Sequence, residues 1–136
     1  MAATVRTVSV PRWMHWTGWI LSSLVAAQLL SSAFFRATYH PAAVAEIVPS
    51  YGYPEPAIAR IVIAECVLVV LYLVPQTSVL AAIVMTGYLG GAVATHLRIA
   101  DTARAAIPLV EGILAWGGLY LRDRRIRELI PFLRSE

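Results

Sequence analysis

Two glutamates, Glu65 and Glu111, stand inside long apolar runs. A charged group at the centre of a membrane helix costs roughly 2.5–3.5 kcal/mol on insertion scales, so each carboxyl there needs a reason. Gln28 and Tyr88 hold comparable positions in two other apolar runs. Three readings of the glutamates stay open. They are neutral acids held by hydrogen bonds, because burial disfavours the charged form. Or one pairs with Arg60, Arg98 or Arg104 at a membrane rim. Or they line a cavity that binds a ligand or relays protons, the default expectation for an ionisable group inside a membrane.

The remaining reactive types are sparse. Cys66 is the only cysteine, which excludes an internal disulfide, a CxxC redox pair and a cysteine-based zinc site. An apolar thiol beside Glu65 is normally inert. His15, His40 and His96 complete the set of soft ligands. His15 and His96 fall at opposite membrane faces, so they cannot serve as a pair of axial haem ligands. His40 with His96 is geometrically open but has no further support. His96 reads best as an interfacial hydrogen-bonding group, and no metal site is expected.

Four apolar segments must position these groups: residues 13–35, 57–74, 78–97 and 103–121. Each is close to the ~17–25 residues that cross ~30 Å of hydrocarbon as a helix. The runs are continuous, without the alternation of a barrel strand. Pro56 suits a helix start and Pro75 a helix end, while Pro108 falls early in the fourth segment. Ser31-Ser32-Ala33 looks like a leader cleavage site, but the apolar run continues through Phe35, beyond a typical leader core of ~7–15 residues. A retained first helix is therefore expected. The connection between the first two segments is long enough for a short interfacial helix over 41–48, and the second and third segments should form a hairpin.

Composition agrees. The chain has 136 residues, 59% hydrophobic and 14% charged, with a mean hydropathy of +0.69. A soluble domain is nearer ~45–50% apolar and ~25% charged. The expected fold is all-α, a single four-helix transmembrane bundle over 1–136 with a short basic C-terminal tail. The net charge is +3 and every basic residue is arginine. No basic stripe is interleaved with aromatics, so nucleic acid is not an expected partner. Seven arginines (6, 12, 122, 124, 125, 127 and 134) flank the chain ends, against four in the connections. The positive-inside rule then places both termini in the cytoplasm. Trp13, Trp16, Trp19 and Tyr120 read as an aromatic belt at the inner interface.

With that topology, Gln28, Glu65, Tyr88 and Glu111 fall at one depth. At ~1.5 Å per residue, each lies roughly 10–14 Å in from the outer end of its helix. Gly87 and Gly91 have GxxxG spacing, with Gly90 beside them, and are expected to bring the third helix into close contact at the bundle centre. Pro108, Glu111, Ala115 and Gly118 share one face of the fourth helix, again mostly small.

The stretch from Gly87 through Leu89, Gly91 and Thr95 to His96-Leu97-Arg98 resembles the signature of the DoxX-like family of small four-helix membrane proteins. Gly52-Tyr53-Pro54, Glu65, Pro75, Pro108 and Leu121-Arg122-Asp123 match at the corresponding places, and Trp19 through Arg36 fits the family's first helix. Relatives often carry a glycine shortly before the helix-two glutamate, and Arg60–Ala64 has none. The resemblance implies an integral protein of the bacterial plasma membrane. It also implies association with quinone-linked oxidation or oxidant defence, so quinone is a cofactor by analogy only.

The function expected is a non-enzymatic subunit or binder of a quinone-like or other lipophilic ligand, with Gln28, Glu65, Tyr88, Glu111 and His96 as the candidate pocket. The alternative is a small membrane enzyme using Glu65 and Glu111 as an acid–base pair on a hydrophobic substrate. Transport or proton conduction would require oligomerisation of so narrow a bundle. Expected associates are membrane lipid and a membrane-protein partner or a second copy of the chain.

Overall fold

The computed structural model describes residues 11–129, so Arg6 and Arg134, counted above for orientation, lie outside the described residues. All regular structure among the described residues is helical. Four long helices dominate: α1 (Arg12–Ala37), α3 (Ala57–Leu73), α4 (Ser78–Arg98) and α5 (Thr102–Arg122). Two short helices accompany them, α2 (Pro41–Ala45) and α6 (Arg124–Leu129), with a π-helical turn over Glu46–Ser50. The bounds fall within two residues of those expected from the apolar runs.

The local reasons are legible. Val74 turns extended immediately before Pro75, because a residue preceding proline is pushed out of the α region. The Asp101 side chain accepts from the Arg104 amide at 3.0 Å and so caps the start of α5. Between α4 and α5, Ala100 takes a φ of 60°, and Asp101 N–H closes the corner on the His96 carbonyl at 3.0 Å.

The long helices form a closed ring in the order α1–α3–α4–α5, with the largest interface between α1 and α5. That interface is built on glycine. A Cβ at Gly18 would stand 2.7 Å from the Arg122 amide nitrogen, and one at Gly118 would stand 2.7 Å from Ser22 Oγ. One layer deeper, the fully buried Tyr72 hydroxyl donates to the Ala115 carbonyl at 2.7 Å. Its proton is thereby committed, so Ser22 donates to it at 3.1 Å. Arg122 closes this end, held between the Trp19 and Tyr72 rings at 4.4 and 4.8 Å and bonded to the Tyr72 carbonyl at 2.6 Å. The half of the bundle that holds the start of α1 and the end of α5 is thus tightly plugged.

Two helices, Arg12–Ala37 and Ser78–Arg98, are long and apolar enough to cross a membrane. The sequence suggested four equal crossings. The difference has a physical source: α3 is only 17 residues long, and α5 carries Arg104, Glu111 and Arg122 along its length. Large apolar side chains nevertheless point outward from all four, among them Leu24, Ile63, Val67, Val70, Ile83, Leu109 and Ile113, each at least half exposed.

Candidate functional site

The opposite half of the ring, at the end of α1 and the start of α5, is open. A cavity of about 720 Å³ lies between the four long helices and the loop over 46–53. Gln28, Glu65, Tyr88, Glu111 and His96 all border it, and each of the four long helices supplies at least one of them. Apolar walls come from Leu29, Ile61, Leu89 and Ile107. The size is typical of small-molecule sites, which run ~300–1,000 Å³ with few polar groups among apolar walls.

Glu65 is the hub. Its side chain is 2% exposed. Oε1 accepts from Arg36 at 2.5 Å and from the Tyr88 hydroxyl at 2.7 Å. Arg36 also donates to Ser32, one turn back on its own helix. Both contacts run toward one oxygen of Glu65, which accepts from each, with Arg36 as its ion-pair partner. Its partner is Arg36, and none of the rim arginines proposed for it from the sequence. Glu65 Oε2 is buried and has no hydrogen-bond partner. Glu111 makes no hydrogen bond or ion pair among the described residues, yet lies within electrostatic reach of Glu65 and Arg36. Gln28 likewise makes no hydrogen bond among them, leaving its amide free for a ligand. Two carboxyls thus share one cavity in unlike surroundings.

The roof is a pinned loop. Tyr51, buried, donates from its hydroxyl to Glu46 at 2.7 Å and stands 3.4 Å from His96 Nε2. Its hydroxyl proton is committed to Glu46, so Nε2–H is the donor in the second contact. Burial, then the bond to the Glu46 carboxylate, push the Tyr51 hydroxyl pKa up. Arg98 donates to the Tyr51 carbonyl, and Tyr53 meets Thr95 at 3.0 Å. Gly52, at φ +70°, supplies the left-handed residue between the two tyrosines. Arg60 and Arg104 stand exposed at the mouth, Arg104 loosely paired with Glu46 at 3.7 Å.

The glycines of α4 correct an expectation. Gly87, Gly90 and Gly91 have nothing within 4 Å of a built Cβ. They do not pack α4 against a neighbour within the chain. Gly87 and Gly91 instead leave one wall of the cavity unfilled, and Gly90 opens onto a separate apolar groove between α4 and α5. Close helix contact is made elsewhere, by Gly18, Ser22 and Gly118. Gly118 was visible as part of a small face on α5; its partner on α1 carried no marker beyond the spacing of Gly18 and Ser22.

Arg36 is the functional side chain that sequence reasoning missed. The first apolar run stops at residue 35, but α1 continues through Ala37 and the arginine turns back into the bundle. Cys66 is half-buried and free. Trp13 and Trp16 are exposed near the start of α1, whereas Trp19 is engaged by Arg122. No group of three or more His, Cys, Asp and Glu side chains among the described residues is placed to hold a metal.

No curated protein and no solved structure matches this chain. A family model does match, over residues 20–118, which takes in α3 and α4 entire and most of α1 and α5. With the two membrane-capable helices, that match makes this a small membrane protein, and the chain belongs to the DoxX-like family.

Proposed function

We propose that the chain is a four-helix integral membrane protein of the bacterial plasma membrane, with both termini cytoplasmic, that binds a small lipophilic molecule in its outer-half cavity. It acts as a binder or subunit and carries no reaction of its own. Support for four crossings comes from the outward apolar side chains on α3 and α5, which match those on α1 and α4. Exposed apolar area on that scale needs a covering, and lipid supplies it.

The observation that carries the ligand reading is the cavity itself, with a fixed polar layer set among apolar walls. A quinone-like headgroup suits this donor set: the free Gln28 amide can meet a carbonyl, and Leu29 and Leu89 can face the ring. When bound, a quinone would supply reversible two-electron chemistry. The residues of this chain orient the head and shield it from water.

The test is mass spectrometry of the lipids and quinones that copurify with the detergent-extracted protein. Wild type is expected to retain a defined small lipophile. Gly87→Leu, which fills the open wall, should lose it while the protein still folds. Identical small-molecule content in the two proteins would overturn the reading.

One observation favours a second reading, an acid–base enzyme. Glu65 is held by Arg36 and Tyr88 while Glu111 is not, and unlike surroundings are how two carboxyls take opposite proton roles. Glu111→Gln would abolish turnover of a hydrophobic substrate on that reading, but leave ligand retention nearly intact on the first.

A further inference from the structure

The end of the bundle opposite the cavity carries cations that are only partly satisfied among the described residues. Arg125 is fully engaged, donating to Asp123 and to the Pro75 carbonyl at 2.8 Å. Its neighbours are not. Arg127 reaches Met14 Sδ at 4.0 Å through one nitrogen, and its other terminal nitrogen is buried without an acceptor. Arg122 Nε is buried and unpartnered too. Arg12 and Arg124 are exposed and form no hydrogen bond or ion pair among the described residues. Each opens its helix, where a cation opposes the macrodipole, so helix stability does not account for either. Glu128 is exposed and pairs with none of them among the described residues.

Two of these arginines sit against α1. Arg127 lies against Met14 and the Arg122 backbone against Gly18, and Met14 and Gly18 are one turn apart on α1. Trp13 and Trp16, 66% and 64% exposed, adjoin Arg12. Exposed indoles beside an apolar helix mark the depth of lipid headgroups. Guanidinium groups match phosphate oxygens in geometry and charge.

We propose that the corner formed by α6 and the first turn of α1 is a binding site for the phosphate of an anionic phospholipid, with Arg12, Arg124 and Arg127 as its ligands. An anionic lipid is favoured over a zwitterionic one because Arg12, Arg124 and Arg127 outnumber the one acid of α6, Glu128. The site is separate from the cavity and stands whether or not a ligand occupies that cavity.

The experiment uses the full chain in nanodiscs of phosphatidylglycerol and phosphatidylcholine, with native mass spectrometry counting the lipid retained after release. Wild type should retain phosphatidylglycerol selectively. A basic residue near the surface contributes about fivefold in affinity for anionic lipid, so Arg124→Gln with Arg127→Gln should weaken retention about twenty-five-fold. Equal retention of both lipids, or unchanged retention in the double variant, overturns the proposal. Displacement of phosphatidylglycerol by millimolar inorganic phosphate would also overturn it, in favour of a soluble-anion site. If the glutamine pair fails to fold, the pair Arg124→Lys and Arg127→Lys replaces it. It keeps charge but loses the planar fork, and intermediate retention is expected; retention equal to wild type would again overturn the proposal.

Discussion

Glu65 is tolerable in the bundle because Arg36 is beside it. Removing one member of a buried pair strands the other, at a cost of about 3–5 kcal/mol. Arg36→Met should therefore lower the thermal midpoint in detergent steeply. Arg36→Met combined with Glu65→Leu should recover much of the loss, since no charge is then left unpaired. Equal destabilisation by the single and double variants would mean that the 2.5 Å contact is not what matters. The pairing shows how far residue types alone can lead. The shared depth of Gln28, Glu65, Tyr88 and Glu111 was readable from spacing, because helical rise converts residue number into depth. The partner was not, because an arginine at a helix end can lie in water or fold its long side chain back along the helix. Sequence spacing does not choose between the two.

At the scale of an element, the two groups of glycines should behave oppositely. Gly118→Ala places a Cβ 2.7 Å from Ser22 Oγ and 3.1 Å from the Gly18 carbonyl, an overpacked contact expected to cost about 1–3 kcal/mol. Gly91→Leu enters open space on α4 and should leave the thermal midpoint unchanged or slightly raised, since it also replaces a poor helix former. The GxxxG pattern on α4 predicted the reverse. Small residues serve both to bring backbones together and to keep a wall clear, and the pattern is the same in both cases. A third expectation concerns α6. The hydrogen bond from Arg125 holds the Asp123 carboxyl below the usual carboxylate range. A depressed folded pKa stabilises above the unfolded value, about 3.9, and the contribution is lost as pH falls through the folded one. Hydrogen exchange in residues 124–128 should therefore accelerate on acidification below about pH 4. Asp123→Asn should show fast exchange already at neutral pH and no such acid step.

For the whole molecule, the decisive measurement is orientation. With Cys66 replaced, single cysteines at Ser50 and Gln76 report opposite ends of the bundle. Membrane-impermeant thiol reagents should label Ser50→Cys from outside intact cells and leave Gln76→Cys unlabelled. The reverse pattern would invert the topology and move the cavity to the cytoplasmic side. The bounds of the four long helices were legible because Pro56 and Pro75 punctuate the chain where helices start and stop, while the short α6 was not, being read as a basic tail. The equality of the four helices was not, since apolar content alone hides the shortness of α3 and the charges along α5. The contrast between one plugged half and one open half was also hidden. It arises from which small residues meet, a property of the packed ring and of no single helix.

The contact of Gly18 with Gly118 joins α1 to α5, the earliest and latest of the four long helices described. During synthesis at ~5–20 residues per second, α1 waits on the order of ten seconds before α5 leaves the ribosome. Throughout that interval its Ser22 hydroxyl and Gly18 backbone face lipid or an insertion chaperone instead of their partners. The hairpin of α3 and α4 can settle earlier, but it cannot close the ring. Closure of the ring thus waits for the synthesis of α5. A chain released before α5 is complete would present an unpaired first helix, the kind of surface that membrane quality-control proteases remove.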